Sequence, residues 1–120
     1  MRKLIYIAIP YIHPDPDISE WRYNIVTEFT GRLMKEGVVA VFSPITHSHP
    51  IHLVAELPGD WEYWKQHDEA YLSVSKKLIV LTVDGWEESI GVTAEIAIAK
   101  EMGIPIEYID PVEYLIKGDK

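Results

Sequence analysis

The sequence predicts a single α/β domain built on one open, mostly parallel sheet of four to five strands with helices on both faces. Three observations predict it. Short runs of β-branched and aromatic residues alternate with longer stretches of helical periodicity, in the order β-α-β-α-β-α-β-α. The strand candidates are nearly continuous apolar segments, the pattern of strands covered on both faces. A chain of 120 residues with 48% hydrophobic and 25% charged side chains suits one domain, residues 1–120, with a core of its own.

Leu4–Ile9 is apolar throughout and reads as the first strand, stopped by Pro10. Tyr11–Asp17 is a proline-punctuated loop. Ser19 is the expected cap of a helix whose apolar positions Ile25, Phe29, Leu33 and Met34 recur from Trp21 onward, with Gly37 at its C-terminal end. Val38–Phe42 is the second strand. Ser43–Pro58, with Pro44, Pro50 and Pro58, reads as a long loop of the kind that carries function. Asp60 caps a helix running through Trp61, Trp64, Ala70 and Leu72. Leu78–Val83 is the third strand, Asp84–Glu88 a turn, and Ser89 opens a helix that ends at Met102 before Gly103. Ile104–Ile109 is a fourth strand, confined to a sheet edge by Pro105. Pro111–Ile116 is a final short helix, and Lys117–Lys120 a disordered tail. The whole is Rossmann-like or flavodoxin-like, a class in which ligands sit at the carboxyl ends of the strands.

Composition narrows the function. A formal net charge of −8 repels phosphate polymers, so no nucleic acid partner is expected. The absence of Cys excludes disulfides, thiol catalysis and thiolate metal sites, and fits a reducing, cytoplasmic setting. The apolar start is too short to span a bilayer and lacks the cleavage region of a signal peptide, so no membrane association is expected.

The exit of the third strand carries the most chemical information. Ser89 and the backbone around Gly91 stand at a helix N-terminus, where free N–H groups favour an anion such as a phosphate. Glu95 follows six residues after Ser89, flanked by apolar Val92, Ala94, Ile96 and Ala97, which places a half-buried carboxylate beside the ligand crevice. Its alternative is a solvated helix glutamate. Trp61, Tyr63 and Trp64 offer rings for stacking a base, or for packing a core or subunit interface. Arg22 is a candidate to reach a phosphate, or a solvent-facing helix residue. His47, His49 and His52 raise the question of zinc, but His-Ser-His is not a metal-ligand spacing and no helical His-x-x-x-His pair exists, so no metal is expected. His47 or His49 is instead expected to hydrogen-bond a sugar. No Gly-rich dinucleotide or phosphate loop is present, and no cofactor is expected.

Ser89-x-Gly91-Val92-x-x-Glu95 resembles the nucleophile motif of the nucleoside 2-deoxyribosyltransferase superfamily, and within it the 2′-deoxynucleoside 5′-phosphate N-hydrolases. Ile5–Tyr11 is similar to that superfamily's opening strand and aromatic loop. Gln66-His67-Asp68 stands where those enzymes carry an active-site Asp. Ser48–Ile51 resembles a small uncharacterised, DUF1937-like subfamily of the same fold. The resemblance spans nearly the whole chain. It implies Glu95 as nucleophile, Asp68 as the residue handling the base and its proton, Ser89 as a 5′-phosphate contact and Tyr11 in the base or sugar pocket. The implied activity is cleavage or transfer at the N-glycosidic bond of a nucleoside or nucleoside 5′-monophosphate. With the exposed aromatics, it also implies a homo-oligomer. The family's C-terminal residue shared between subunits has no counterpart, because Ile109-Asp110-Pro111 replaces the polar pattern. Two other functions compete: a non-catalytic nucleotide-binding or sensing module of the same fold, and a metal-dependent hydrolase built on the His segment.

Overall fold

The computed structural model describes residues 4–118. Its elements are β1 (Leu4–Ala8), α1 (Pro16–Lys35), β2 (Ala40–Phe42), α2 (Pro44–Ala55), α3 (Trp61–Ser73), β3 (Ser75–Leu81), a single 3₁₀ turn at Trp86–Glu88, α4 (Ile90–Glu101), β4 (Ile106–Ile109) and α5 (Pro111–Gly118). The strands form one four-stranded sheet in the order β2-β1-β3-β4. Every pairing is parallel, with Ile5 opposite Val41, Ile7 opposite Ile79 and Val80 opposite Tyr108. This is the open, doubly covered sheet the sequence predicts, and the strand order is consistent with a flavodoxin-like fold. β4 takes the edge that Pro105 dictates, and the Pro105 carbonyl still accepts from the Leu78 N–H at 2.9 Å.

The pleat of β1 divides the core. Ile5, Ile7 and Ile9 point to one side, where they meet Val26, Phe29 and Leu33 of α1 and Tyr114 of α5. Tyr6 and Ala8 point to the other, against Leu72 of α3 and Val92 and Ala99 of α4. Each fully buried Val, Leu, Ile or Phe contributes about 1.5–3 kcal/mol by leaving water.

Three expectations are corrected. The segment Ser43–Pro58 is mostly helix rather than loop. Ser43 accepts from the Thr46 N–H as N-cap, and Pro44 stands in the first turn, where its missing N–H costs nothing. Only Pro50 lies inside α2. The helix closes on Glu56, whose left-handed φ of 56° is one that glycine usually supplies. Likewise α1 begins at Pro16, capped by the Asp15 side chain, ahead of the expected start near Ser19. Asp15-Pro16 is an N-cap followed by a proline whose fixed φ suits the first turn. Lys117 belongs to α5 rather than to a disordered tail, while Asp119 and Lys120 lie outside the described residues. Among the described residues, no helix is long and apolar enough to cross a membrane.

Candidate functional site

The chain leaves β1 for β2 on one side of the sheet and later returns to place β3 on the other. The loops after β1 and β3 therefore diverge and leave a crevice at their carboxyl ends. A cavity of about 430 Å³ fills it. Its walls come from Ile9–His13 after β1, from α2 through Ile45, Ser48 and His52, from Trp61, Trp64 and Asp68 of α3, and from Gly85–Gly91 and Glu95 after β3.

Glu95 sits on the second turn of α4 and is only 5% exposed. The Tyr6 hydroxyl, from the centre of β1, donates a hydrogen bond to its Oε2. The Glu95 carboxyl is raised from 4.5 to about 8, chiefly by burial; the Tyr6 hydrogen bond acts against the rise and the nearby charge of Asp68 adds to it. Burial beside this carboxyl holds the Tyr6 phenol well above its ordinary 10.0. Asp68 is likewise buried, and desolvation raises its carboxyl, but a 3.0 Å hydrogen bond with His67 and the charges of His67 and His47 act against that rise. The two carboxyls thus share one cavity, with Tyr6 attached to one and His67 to the other. A carboxyl raised by burial to about 8 is mostly protonated at neutral pH.

The other residues singled out from sequence fall into two groups. Tyr11, Ser89, Gly91 and Arg22 line the cavity together with Glu95 and Asp68. The Ser89 Oγ is committed as the α4 cap, accepting the Val92 N–H at 3.2 Å. Arg22 is buried, and its guanidinium donates to the carbonyls of Ile12 at 3.1 Å, Asp84 at 3.0 Å and Tyr11 at 3.5 Å. It ties the β1 loop to the β3 loop rather than projecting as a free cation. Gly85 has φ +90°, and a Cβ there would stand 2.9 Å from Arg22 Nη2, so both backbone and neighbour require glycine.

His47 and His49 are not brought to this cavity. His49 is buried, paired with the Tyr11 hydroxyl, stacked on Tyr23 at 4.1 Å and 3.1 Å from Glu20, and it borders a shallower adjoining hollow. His47 is exposed and stacks on His67 at 5.2 Å. The helical form of α2 turns His47 away, because Ile45, Ser48 and His52, three and four residues apart, share the inward face; His49 lies beside that face and is drawn to Tyr11, Tyr23 and Glu20. A loop reading hides that spacing. Trp61 and Trp64 line the cavity, whereas Tyr63 is exposed. Tyr6 carried one usable signal, a hydroxyl inside a strand buried on both faces, which must find a partner.

Among the described residues, no three His, Asp or Glu side chains converge as a metal set. Fold and site together define an open parallel α/β domain with a partly enclosed, acid-lined cavity at its carboxyl edge. Residues 3–110 match the family described as "Domain of unknown function (DUF1937)", and the chain belongs to that family. No curated protein matches the chain.

Proposed function

We propose that this protein cleaves or transfers at the N-glycosidic bond of a (deoxy)nucleoside or nucleoside 5′-monophosphate, with Glu95 as nucleophile and Asp68 as acid and base. The observation that carries the reading is the buried Glu95–Asp68 pair in one cavity, with a tyrosine donor fixed on Glu95. The resemblance of Ser89-x-Gly91-Val92-x-x-Glu95 to the nucleoside 2-deoxyribosyltransferase motif supports it.

The pair works with a single proton. In the reactive form the proton is on Asp68 and Glu95 is ionised, its carboxylate stabilised by the Tyr6 hydroxyl. Glu95 attacks the anomeric carbon. The electron pair of the breaking C–N bond passes to the base, which takes the Asp68 proton. Asp68 then removes a proton from water, or from the N–H of a second base, and that acceptor displaces Glu95 from the sugar. Trp61 and Trp64 give the base a surface to stack on. Residues of one chain suffice for these steps, and a homo-oligomer remains a prediction for light scattering.

Incubation with a panel of deoxynucleosides, nucleosides and their 5′-monophosphates, followed by chromatography, should release free base. Glu95→Ala should abolish that release. Release that persists in Glu95→Ala refutes the assignment. One observation favours a second reading, a binding or sensing module: a Glu95 carboxyl near pKa 8 is mostly neutral at pH 7 and can hold a ligand by hydrogen bonds alone. Saturable binding without base release identifies that case.

A further inference from the structure

We propose that this cavity takes an unphosphorylated N-glycoside whose base carries a fixed positive charge, such as a pyridinium nucleoside, and turns away 5′-phosphates. The inference rests on the glycoside-cleaving reading for its chemistry, but its binding test stands apart from turnover.

The charges of the walls come first. Asp60, Asp68, Glu88 and Glu95 all line the cavity. Among the described residues, Arg22 is the single Lys or Arg in the lining, and its guanidinium is committed to three backbone carbonyls. The His52 Nδ1 is paired with the Leu57 carbonyl, which leaves Nε2 as the ring nitrogen without a partner on that side. The His13 Nδ1 accepts the Asp15 N–H. The α4 N-terminus is a poor phosphate seat here. Its capping hydroxyl already holds the Val92 N–H, and the Glu88 carboxylate lies in the same wall one residue earlier. A phosphate dianion would meet carboxylates, with no uncommitted Lys or Arg among the described lining residues to offset them.

The remaining walls favour a cationic ring. Trp61 and Trp64 line the same space, and the Trp64 Nε1 donates to the Pro58 carbonyl at 2.7 Å, which fixes its ring. Indole faces attract cations. Ser48 is 8% exposed, lines the cavity and makes no side-chain hydrogen bond to the described residues, so its hydroxyl is available to a sugar hydroxyl.

A cationic base also suits the carboxyl pair. When the C–N bond breaks, its electron pair neutralises the positive nitrogen, and the base departs without needing a proton. Glu95 bonds to the anomeric carbon, and water later displaces it, passing its proton to Asp68. The cation's arrival draws Glu95 into its ionised form. The groups facing Glu95 are Tyr6 from β1 and Asp68 from α3, the latter held by His67 with His47 nearby. The Glu95 proton is therefore released to solvent on binding.

Calorimetry on Glu95→Gln, which stops turnover, separates the possibilities with three probes. They are the riboside of 3-carbamoylpyridinium, its uncharged 1,4-dihydropyridine form, and the 5′-phosphate of the pyridinium riboside. The pyridinium riboside should bind about tenfold more tightly than the dihydro form, and the phosphate more weakly than the pyridinium riboside. Equal or weaker binding of the pyridinium riboside, equal or tighter binding of the phosphate, or no binding of any probe overturns the proposal. Adding Asp60→Asn and Glu88→Gln, at two exposed positions, to Glu95→Gln should remove most of the discrimination seen with Glu95→Gln alone. Full discrimination in the triple variant would count against it. In wild type the pyridinium riboside should release protons on binding, seen as a heat that varies with buffer ionisation enthalpy. If the cation binds selectively but no glycoside in the panel is cleaved, the charge inference stands and the glycosidase reading falls.

Discussion

Replacing Glu95 with Gln keeps the shape and an oxygen acceptor for Tyr6 but removes the titration. In the folded protein the Glu95 pKa is about 8, against 4.5 for an ordinary glutamate. Between those values the folded state binds a proton that the unfolded chain has lost, so stability falls as pH rises. The contribution is fully present below pH 4.5, is lost progressively from there, and is gone once pH has passed about 8. At about 1.4 kcal/mol per pH unit, the loss reaches about 5 kcal/mol by pH 9. Glu95 is 5% exposed, so solvent screening subtracts little from this figure. That is a large share of a small domain's total of about 5–15 kcal/mol. Urea unfolding of wild type and Glu95→Gln at intervals from pH 5 to pH 9 measures it. The wild-type midpoint should fall steeply with pH and the variant's much less. The variant should keep a slope from Asp68, whose carboxyl is also raised by burial, and which loses its contribution as pH rises through its own folded value. Tyr6 titrates above this window and leaves the comparison unaffected. Parallel curves for the two proteins would refute the burial and charge argument.

Tyr6→Phe removes the donor that lowers the Glu95 carboxyl. It should move the alkaline stability loss to higher pH and cost about 1–3 kcal/mol through an unpaired buried group, checked by the same titration. Arg22→Ala unties the loops after β1 and β3. Loss of its carbonyl contacts should cost about 3 kcal/mol or more and lower the melting temperature by well over 5 °C, read by thermal denaturation. Ser89→Ala removes the α4 cap and should cost about 1 kcal/mol in urea unfolding, with Glu95 still buried.

The sheet was legible because its strands are short, apolar and bounded by Pro and Gly. Edge placement of β4 followed from one proline, and the α4 start from Ser89. Glu95 was legible through its apolar flanks, and Asp68 through the resemblance. The α2 segment was not, because a proline signals a break in sequence whether it starts a helix, as Pro44 does, or lies within one, as Pro50 does. Reading that segment as a loop also hid Ser48 and His52, since only a helical period shows that they share the inward face with Ile45. Arg22 and Tyr6 show a different limit. Their partners lie 62 and 89 residues away along the chain, and no local pattern announces a contact of that range.

The division of the core by β1 has an evolutionary corollary. Glu95, Asp68 and Tyr6 all belong to the layer formed with α3 and α4, while Phe29, Leu33 and Tyr114 belong to the opposite layer. Drift in the opposite layer alters how tightly the domain folds yet leaves the acidic groups where they are. Homologues are thus free to diverge in α1 and α5 interiors at little chemical penalty, and sequence variation between them should be lopsided across the sheet.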